Sequence, residues 1–335
     1  MKKFIFILVP LFLLSACTGL SALAPHWEPR VVIDQAGRSV DINGPVDKIV
    51  SGYYISSSAC IALGLGGKMV GIEAKADSRP IYALAAPELL KLPNVGTAKE
   101  FNLEACIALE PDLVILPLHL RDSADAMAEM DIPVIFINPE GYEELLEMIA
   151  LIGNAADAGN KAERMLEYYQ DKCSAIEKLT SEIGDNPIVY MGGVDSYLTT
   201  APRDMYQSSL IDIAGGRNAA QEIAGDGWKQ ISYEHLLAMN PEVIIIPSEA
   251  GYDKEDILYD EQLADITAVR NGSIYYMPRA FEAWDSPVPS GVLGMLWLLN
   301  VLHEDVYSME TLKNDVSDFY SEFYGIQVDT ALISK

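Results

Sequence analysis

Basic residues are scarce. The chain of 335 residues carries 23 lysines and arginines against 49 aspartates and glutamates, a formal net charge of −26. A surface this acidic repels phosphate backbones and anionic lipid headgroups, which argues against nucleic-acid binding. The acids are spread along the chain rather than run together, so their plainest effect is solubility. Histidine is also sparse. His26, His119, His235 and His303 are too few for a bare zinc or manganese receptor, which needs several imidazole or carboxylate ligands converging, and no metal site is expected. The cysteines show no CxxC spacing, which argues against a disulfide framework or a zinc ribbon, and Cys60, Cys106 and Cys173 are expected as buried thiols. After the N-terminal stretch, no run reaches the roughly 20 apolar residues needed to cross a bilayer. Gly291 to Leu302 comes nearest, but it is short and interrupted by Gly294 and Asn300, as suits a buried helix. Signatures of catalysis are missing too. There is no Gly-x-Ser-x-Gly elbow and no His-Glu-x-x-His, and Gly64-Leu65-Gly66-Gly67-Lys68 lacks both Walker spacing and a following Ser or Thr. A surface-anchored hydrolase is therefore the weaker alternative, and no enzyme activity is expected.

What is present begins at the N-terminus. Lys2 and Lys3 precede the apolar run Phe4 to Leu14, which closes on Leu14-Ser15-Ala16-Cys17. A basic start, a short apolar core and small residues before a cut describe a secretion signal. Leu-Ser-Ala-Cys also resembles the lipobox of bacterial lipoproteins, which implies that Cys17 is acylated and becomes the first residue of the mature chain. Residues 1–16 are thus read as signal and 17–29 as anchor and linker. Removing the signal leaves 21 basic against 49 acidic residues, a net charge of −28. The expected location is extracytoplasmic, held to the cell membrane by lipid.

Half of the residues are hydrophobic, enough for a large core, and the length suits two domains. Val31 to Ile42 reads as a hairpin around Gln35-Ala36-Gly37-Arg38. Strands at 48–51, 69–73, 113–116 and 132–137 then alternate with helices at 57–65, 103–109 and 124–130. Helices at 142–152 and 162–183 follow. The alternation resumes with strands at 188–191, 243–246 and 274–277 and helices at 207–214, 233–239, 290–302 and 309–324. Such alternation indicates mostly parallel sheets covered on both faces. A repeat supports two lobes. Glu104-(x6)-Pro111-Asp112-Leu113-Val114-Ile115-Leu116-Pro117 matches Glu234-(x6)-Pro241-Glu242-Val243-Ile244-Ile245-Ile246-Pro247 without gaps at an offset of 130, and Gly66-Gly67-Lys68 echoes Gly215-Gly216-Arg217. The expected architecture is α/β, with lobes at 30–140 and 187–330 joined through 141–186.

An ordered set of motifs carries a resemblance. It runs from Val32-Ile33-Asp34-(x2)-Gly37-Arg38 through Ala62-Leu63-Gly64-Leu65-Gly66, Leu92-Pro93-Asn94-Val95-Gly96 and Asn102-Leu103-Glu104. It continues through Ala214-Gly215-Gly216-Arg217-Asn218-Ala219 and Ile231-Ser232-(x)-Glu234 to Asp318-Phe319-Tyr320-(x2)-Phe323-Tyr324-Gly325. From about residue 30 to 330 the chain resembles the solute-binding proteins that feed ABC importers for iron-siderophore complexes, haem and vitamin B12. The resemblance implies two Rossmann-like lobes with mostly parallel sheets, joined by one long bridging helix, with the ligand cleft between them. It implies a permease and an ATPase as partners, a metal chelate as ligand rather than a cofactor, and a monomer. It also implies that Glu104 and Glu234, one per lobe, dock on the permease. Glutamates at helix N-termini equally stabilise the helix dipole without a partner.

In open α/β sheets, ligands sit beyond the carboxyl ends of strands, where loops enter helix N-termini. That geometry nominates Tyr53, Tyr54, Ser57 and Ser58 after the first strand, and His119 and Arg121 in a later loop. In the second half it nominates Trp228 and the stretch Arg279-Ala280-Phe281-Glu282-Ala283-Trp284-Asp285-Ser286-Pro287. Arg279, Phe281 and Trp284 offer a cation and aromatic walls suited to a chelate or macrocycle. The competing reading packs Phe281 and Trp284 in the core and pairs Arg279 with Asp285. An oxyanion such as molybdate or tungstate is the alternative ligand.

Overall fold

The computed structural model describes residues 28–335 except 182, 185 and 226, so the expected secretion signal and the expected lipidation site Cys17 lie outside the described residues. The hairpin comes first, with β1 (Arg30–Ile33) antiparallel to β2 (Ser39–Ile42). Gly37, at φ +75°, supplies the left-handed turn residue. The Asp34 carboxylate, nearly fully buried, accepts from the backbone N–H groups of Ala36, Arg38 and Phe136 and from the Arg38 guanidinium. Arg38 lies 4.3 Å over the Phe136 ring. These bonds tie the hairpin to the first lobe.

That lobe is built from β3 (Ile49–Ser51), α1 (Tyr54–Ala62), β4 (Met69–Gly71), α2 (Pro80–Ala85), α3 (Leu103–Ile107), β5 (Leu113–Pro117), α4 (Ala124–Ala128) and β6 (Val134–Ile137). The strands are parallel, in the order β4-β3-β5-β6. Two helices follow, α5 (Tyr142–Ala155) and α6 (Gly159–Thr180), the second of 22 residues, about 33 Å long. The second lobe holds β7 (Ile188–Met191), β8 (Thr199–Thr200), α7 (Tyr206–Ile213), β9 (Arg217–Asn218), β10 (Lys229–Gln230), α8 (Tyr233–Met239), β11 (Val243–Ile246), α9 (Lys254–Leu258), α10 (Thr267–Asn271) and β12 (Ile274–Tyr276). Its parallel sheet has the order β12-β11-β7-β9. Helices α11 (Gly291–Leu302) and α12 (Met309–Phe319) complete the chain, and α12 loosens into a single π turn over Tyr320–Tyr324.

Numbered within its own lobe, each sheet has the strand order 2-1-3-4. The sequence repeat is therefore a repeat of structure. Helices α3 and α8 start 130 residues apart, and so do β5 and β11. Gly66-Gly67-Lys68 and Gly215-Gly216-Arg217 each lead into the second strand of their lobe. Capping is shared as well, since Asn102 and Ser232 each accept a backbone N–H of the first helical turn.

Several boundaries differ from expectation. The first helix starts at Tyr54 rather than Ser57, which makes Tyr53 its N-cap, in extended conformation at φ −150°. The connecting helix runs 159–180 rather than 162–183, so it includes Gly159. One large apolar cluster runs from β3, α1 and α5 of the first lobe through α6, α7 and α11 to α12 and the terminal turn. The two sheets thus share a continuous core through the connecting helices. Cys60, Cys106 and Cys173 are free, and burial pushes the Cys60 and Cys106 thiols up to about 12, leaving them unreactive at neutral pH.

Candidate functional site

The carboxyl ends of β3, β5, β7 and β11 face one cleft. Strands one and three are neighbours in each sheet, and the chain leaves them in opposite directions, which opens a crevice there. Two cavities occupy the cleft, one on each side of Tyr54.

The first cavity measures about 290 Å³. Tyr54, Ser58, Arg79, Tyr82, Arg279, Phe281 and Glu282 line it. Tyr54 opens α1, so the turn after β3 aims its ring between the lobes. The Arg79 guanidinium lies 3.6 Å from the centre of that ring and 3.7 Å from the Glu249 carboxylate of the opposite lobe. Arg279 stands at the solvent-open rim and donates through Nη1 to the Ser248 carbonyl at 3.1 Å. One arginine from each lobe therefore reaches the same space. At the floor, Glu282 accepts from the Ser58 hydroxyl and, at 2.7 Å, from the Tyr324 hydroxyl. Burial raises its carboxyl above the usual range, and the hydroxyls of Ser290, Ser58 and Tyr324, and to a lesser extent Arg79, partly offset this.

The second cavity measures about 230 Å³. Tyr53, Tyr54, His119, Glu140, Tyr206, Gln207, Trp228, Glu249 and Asp285 are among its walls. The N-termini of α1 and α7 both open on it, and neither has a side-chain cap. Burial raises the Asp285 carboxyl as well, while the Ser248 N–H and hydroxyl donate to its two oxygens. The Tyr54 hydroxyl donates to Ser286 at 3.3 Å, a direct bond between lobes.

Of the residues nominated from sequence, Tyr54, Ser58, Arg279 and Phe281 meet in the first cavity, and Tyr53, Tyr54, His119 and Trp228 in the second. Three do not reach either. Trp284 is 1% exposed, and its indole N–H donates to the Tyr320 hydroxyl at 3.1 Å. It packs against α11, where Gly294 leaves room for its backbone, so it is a core residue rather than a ligand wall. Ser57 points into the first lobe, where its hydroxyl donates to Glu73 at 2.6 Å. Arg121 is exposed beside Asp122. Arg279 and Asp285 form no ion pair with each other: Arg279 donates to the Ser248 carbonyl, and Asp285 accepts from the Ser248 hydroxyl. Glu104 and Glu234 are exposed in the first turns of α3 and α8, away from both cavities.

Arg79, Tyr206 and Gln207 escaped the sequence reading. Arg79 was within reach, since Pro80 marks a helix start after a strand and places Arg79 in a loop at the strand's carboxyl end. Tyr206 and Gln207 look like ordinary helix residues, and only the opposed lobes bring them to the cleft. Among the described residues no three His, Cys, Asp or Glu side chains group as metal ligands, and no helix is long and apolar enough to cross a membrane.

Known proteins share this fold. Residues 49–280 match the family model for periplasmic binding proteins. The molybdate-binding protein MolA of Haemophilus influenzae is 25% identical over 93% of this chain and 95% of its own. Its structure with molybdate superposes with a TM-score of 0.78 over 90% of this chain and 99% of that one, at 23% identity. The uncharacterised ABC transporter substrate-binding lipoprotein YvrC of Bacillus subtilis is 26% identical over 74% of this chain and 77% of its own. A vitamin B12-binding protein of Vibrio parahaemolyticus is 23% identical over 70% and 82%. The relatives are solute-binding proteins rather than enzymes. With two like-built lobes facing one cleft and a family match across most of its length, the chain belongs to the periplasmic binding protein family, the solute-binding components of ABC transporters.

Proposed function

We propose that this protein captures a compact anionic solute between its lobes and delivers it to the permease and ATPase of an importer. One observation carries the reading: Arg79 and Arg279, from opposite lobes, reach a single cavity of about 290 Å³ walled by Tyr54 and Phe281. Guanidinium groups bind oxyanions and carboxylates through charge-assisted hydrogen bonds. The space suits a tetrahedral oxyanion such as molybdate or tungstate, and the likeness to MolA supports that class. With Arg79 in the cavity, an oxyanion ranks ahead of the chelates expected from the sequence. The second reading is an iron-siderophore complex, haem or corrinoid bearing anionic groups. The aromatic walls and the likeness to a vitamin B12-binding protein favour it. Neither reading needs a cofactor, because the ligand is cargo. The protein acts as a monomer, held to the membrane through Cys17.

Calorimetry of the purified protein with molybdate, tungstate, haemin, cobalamin and a ferric siderophore separates the readings. Submicromolar binding of an oxyanion is expected, with Arg79→Ala and Arg279→Ala each costing about 1.5–3 kcal/mol, or roughly 10- to 150-fold. Binding of none of these ligands, or binding indifferent to both arginines, overturns the anion reading.

A further inference from the structure

Glu282 is an acid in a cavity that presents two cations, and the capture of an anion does not itself require it. It is 7% exposed and faces the same space as Arg79 and Arg279. Its two oxygens are held from different parts of the molecule. Ser58 of α1 donates to Oε1, and Tyr324 of the terminal π turn donates to Oε2. Both donors are neutral hydroxyls, and among the described residues no ion pair forms to Glu282. The titratable groups around it come from every neighbouring element. They are Tyr54 on α1, Arg79 and Tyr82 at the start of α2, Glu249 after β11, Arg279 after β12, and Tyr320 and Tyr324 after α12. Glu73 lies one hydrogen bond further, behind Tyr82.

We propose that Glu282 couples solute capture to protons: it takes up one proton from solvent when an anion is seated between Arg79 and Arg279. The inference rests on the anion reading of this cavity. An ionised Glu282 beside a bound anion would leave two like charges in a poorly solvated space. The anion also engages Arg79, the cation that favours the ionised form. Protonation removes the repulsion. Ser58 and Tyr324 already donate to Glu282, and the buried Ser290 hydroxyl stands beside it, so the protonated carboxyl can keep accepting from these hydroxyls while its new O–H donates toward the ligand. The bound state then holds one more proton than the free state. Affinity is highest at low pH and falls as pH rises through the carboxyl's range, by at most tenfold per pH unit. For an exported protein, this makes capture respond directly to the acidity outside the cell.

The probe is molybdate, titrated by calorimetry between about pH 5 and 8 in pairs of buffers of different ionisation enthalpy, which counts protons taken up. The wild type is expected to take up close to one proton over part of this range. Glu282→Gln keeps a group that accepts hydrogen bonds, and it is expected to take up none, to show a flat pH profile, and to bind more tightly than the wild type at the alkaline end. Glu282→Asp is expected to restore a pH-dependent profile. Molybdate binding without proton uptake, or with uptake retained in Glu282→Gln, overturns the coupling and leaves the anion reading intact. Failure of the wild type to bind any oxyanion overturns both.

Discussion

Trp284 and Arg279 sit five residues apart in one loop and have opposite fates. Trp284 carries about as much apolar surface as a residue can bury, and its single polar atom finds Tyr320, so burial costs it nothing in hydrogen bonding. Arg279 carries a charge that cannot be shed, and it stays at the rim with one carbonyl partner. Trp284→Ala is therefore expected to destabilise the fold by about 3–5 kcal/mol, read by chemical denaturation. Trp284→Phe, which keeps most of the ring volume, is expected to leave ligand affinity within a few-fold of the wild type. A Trp284→Phe protein that folds fully but loses binding would return this residue to the ligand site. Arg79 makes the converse point. Its helix-start context is visible in the sequence, but its partners, Tyr54 and Glu249, lie 25 and 170 residues away and meet it only in the fold.

Among elements, the pair α3 and α8 is the most legible. Both helices are short, both are capped by a polar side chain at the preceding residue, and both stop shortly before a proline that leads into a central strand. The repeated pattern predicted the pair because capping, proline placement and apolar strands are local properties. Their glutamates are exposed, one per lobe, at matching positions of the repeat. The double reversal Glu104→Lys with Glu234→Lys is expected to abolish uptake in cells while the purified protein keeps its ligand affinity. Normal uptake by the double variant would assign these glutamates to the helix dipole alone. The first helix was less legible, because Tyr53 and Tyr54 are poor capping residues and the run of serines after them looked like a start. The strand's end fixes the turn instead, and this aims Tyr54 between the lobes.

At the scale of the molecule, the lobes are not two beads on a string. The apolar cluster through α1, α5, α6, α7, α11 and α12 is continuous, so bending between lobes disturbs packed core rather than a free linker. Contacts across the cleft already exist at Tyr54–Ser286, Arg79–Glu249 and Ser58–Glu282. Lobe closure is expected to be small. Small-angle scattering with and without bound ligand should show a change in radius of gyration of no more than about 1 Å, and a larger compaction would indicate a hinge that this core does not provide. The proposed anchor at Cys17 is tested at this scale too. A Cys17→Ala chain is expected to appear unprocessed or in the soluble fraction, and membrane fractionation that still recovers it fully processed would exclude lipid at Cys17.

The amino-acid sequence by itself determined the scarcity of histidine, the alternation of strands and helices, and the doubling of the α/β unit. Each of these rests on local periodicity, local caps or composition, which need no tertiary partner to be read. Only the tertiary structure decided which residues of the cleft loops line a cavity and which pack. It sent Trp284 and Ser57 inward and brought Arg79, Arg279 and Glu282 to one cavity. The physical reason is that a loop residue's fate depends on the groups across from it. Some of those groups stand in the same lobe, as Glu73 does for Ser57 and Tyr320 for Trp284, and others arrive from the opposite lobe, as Glu249 does for Arg79 and Ser58 for Glu282, and no local pattern encodes their distance.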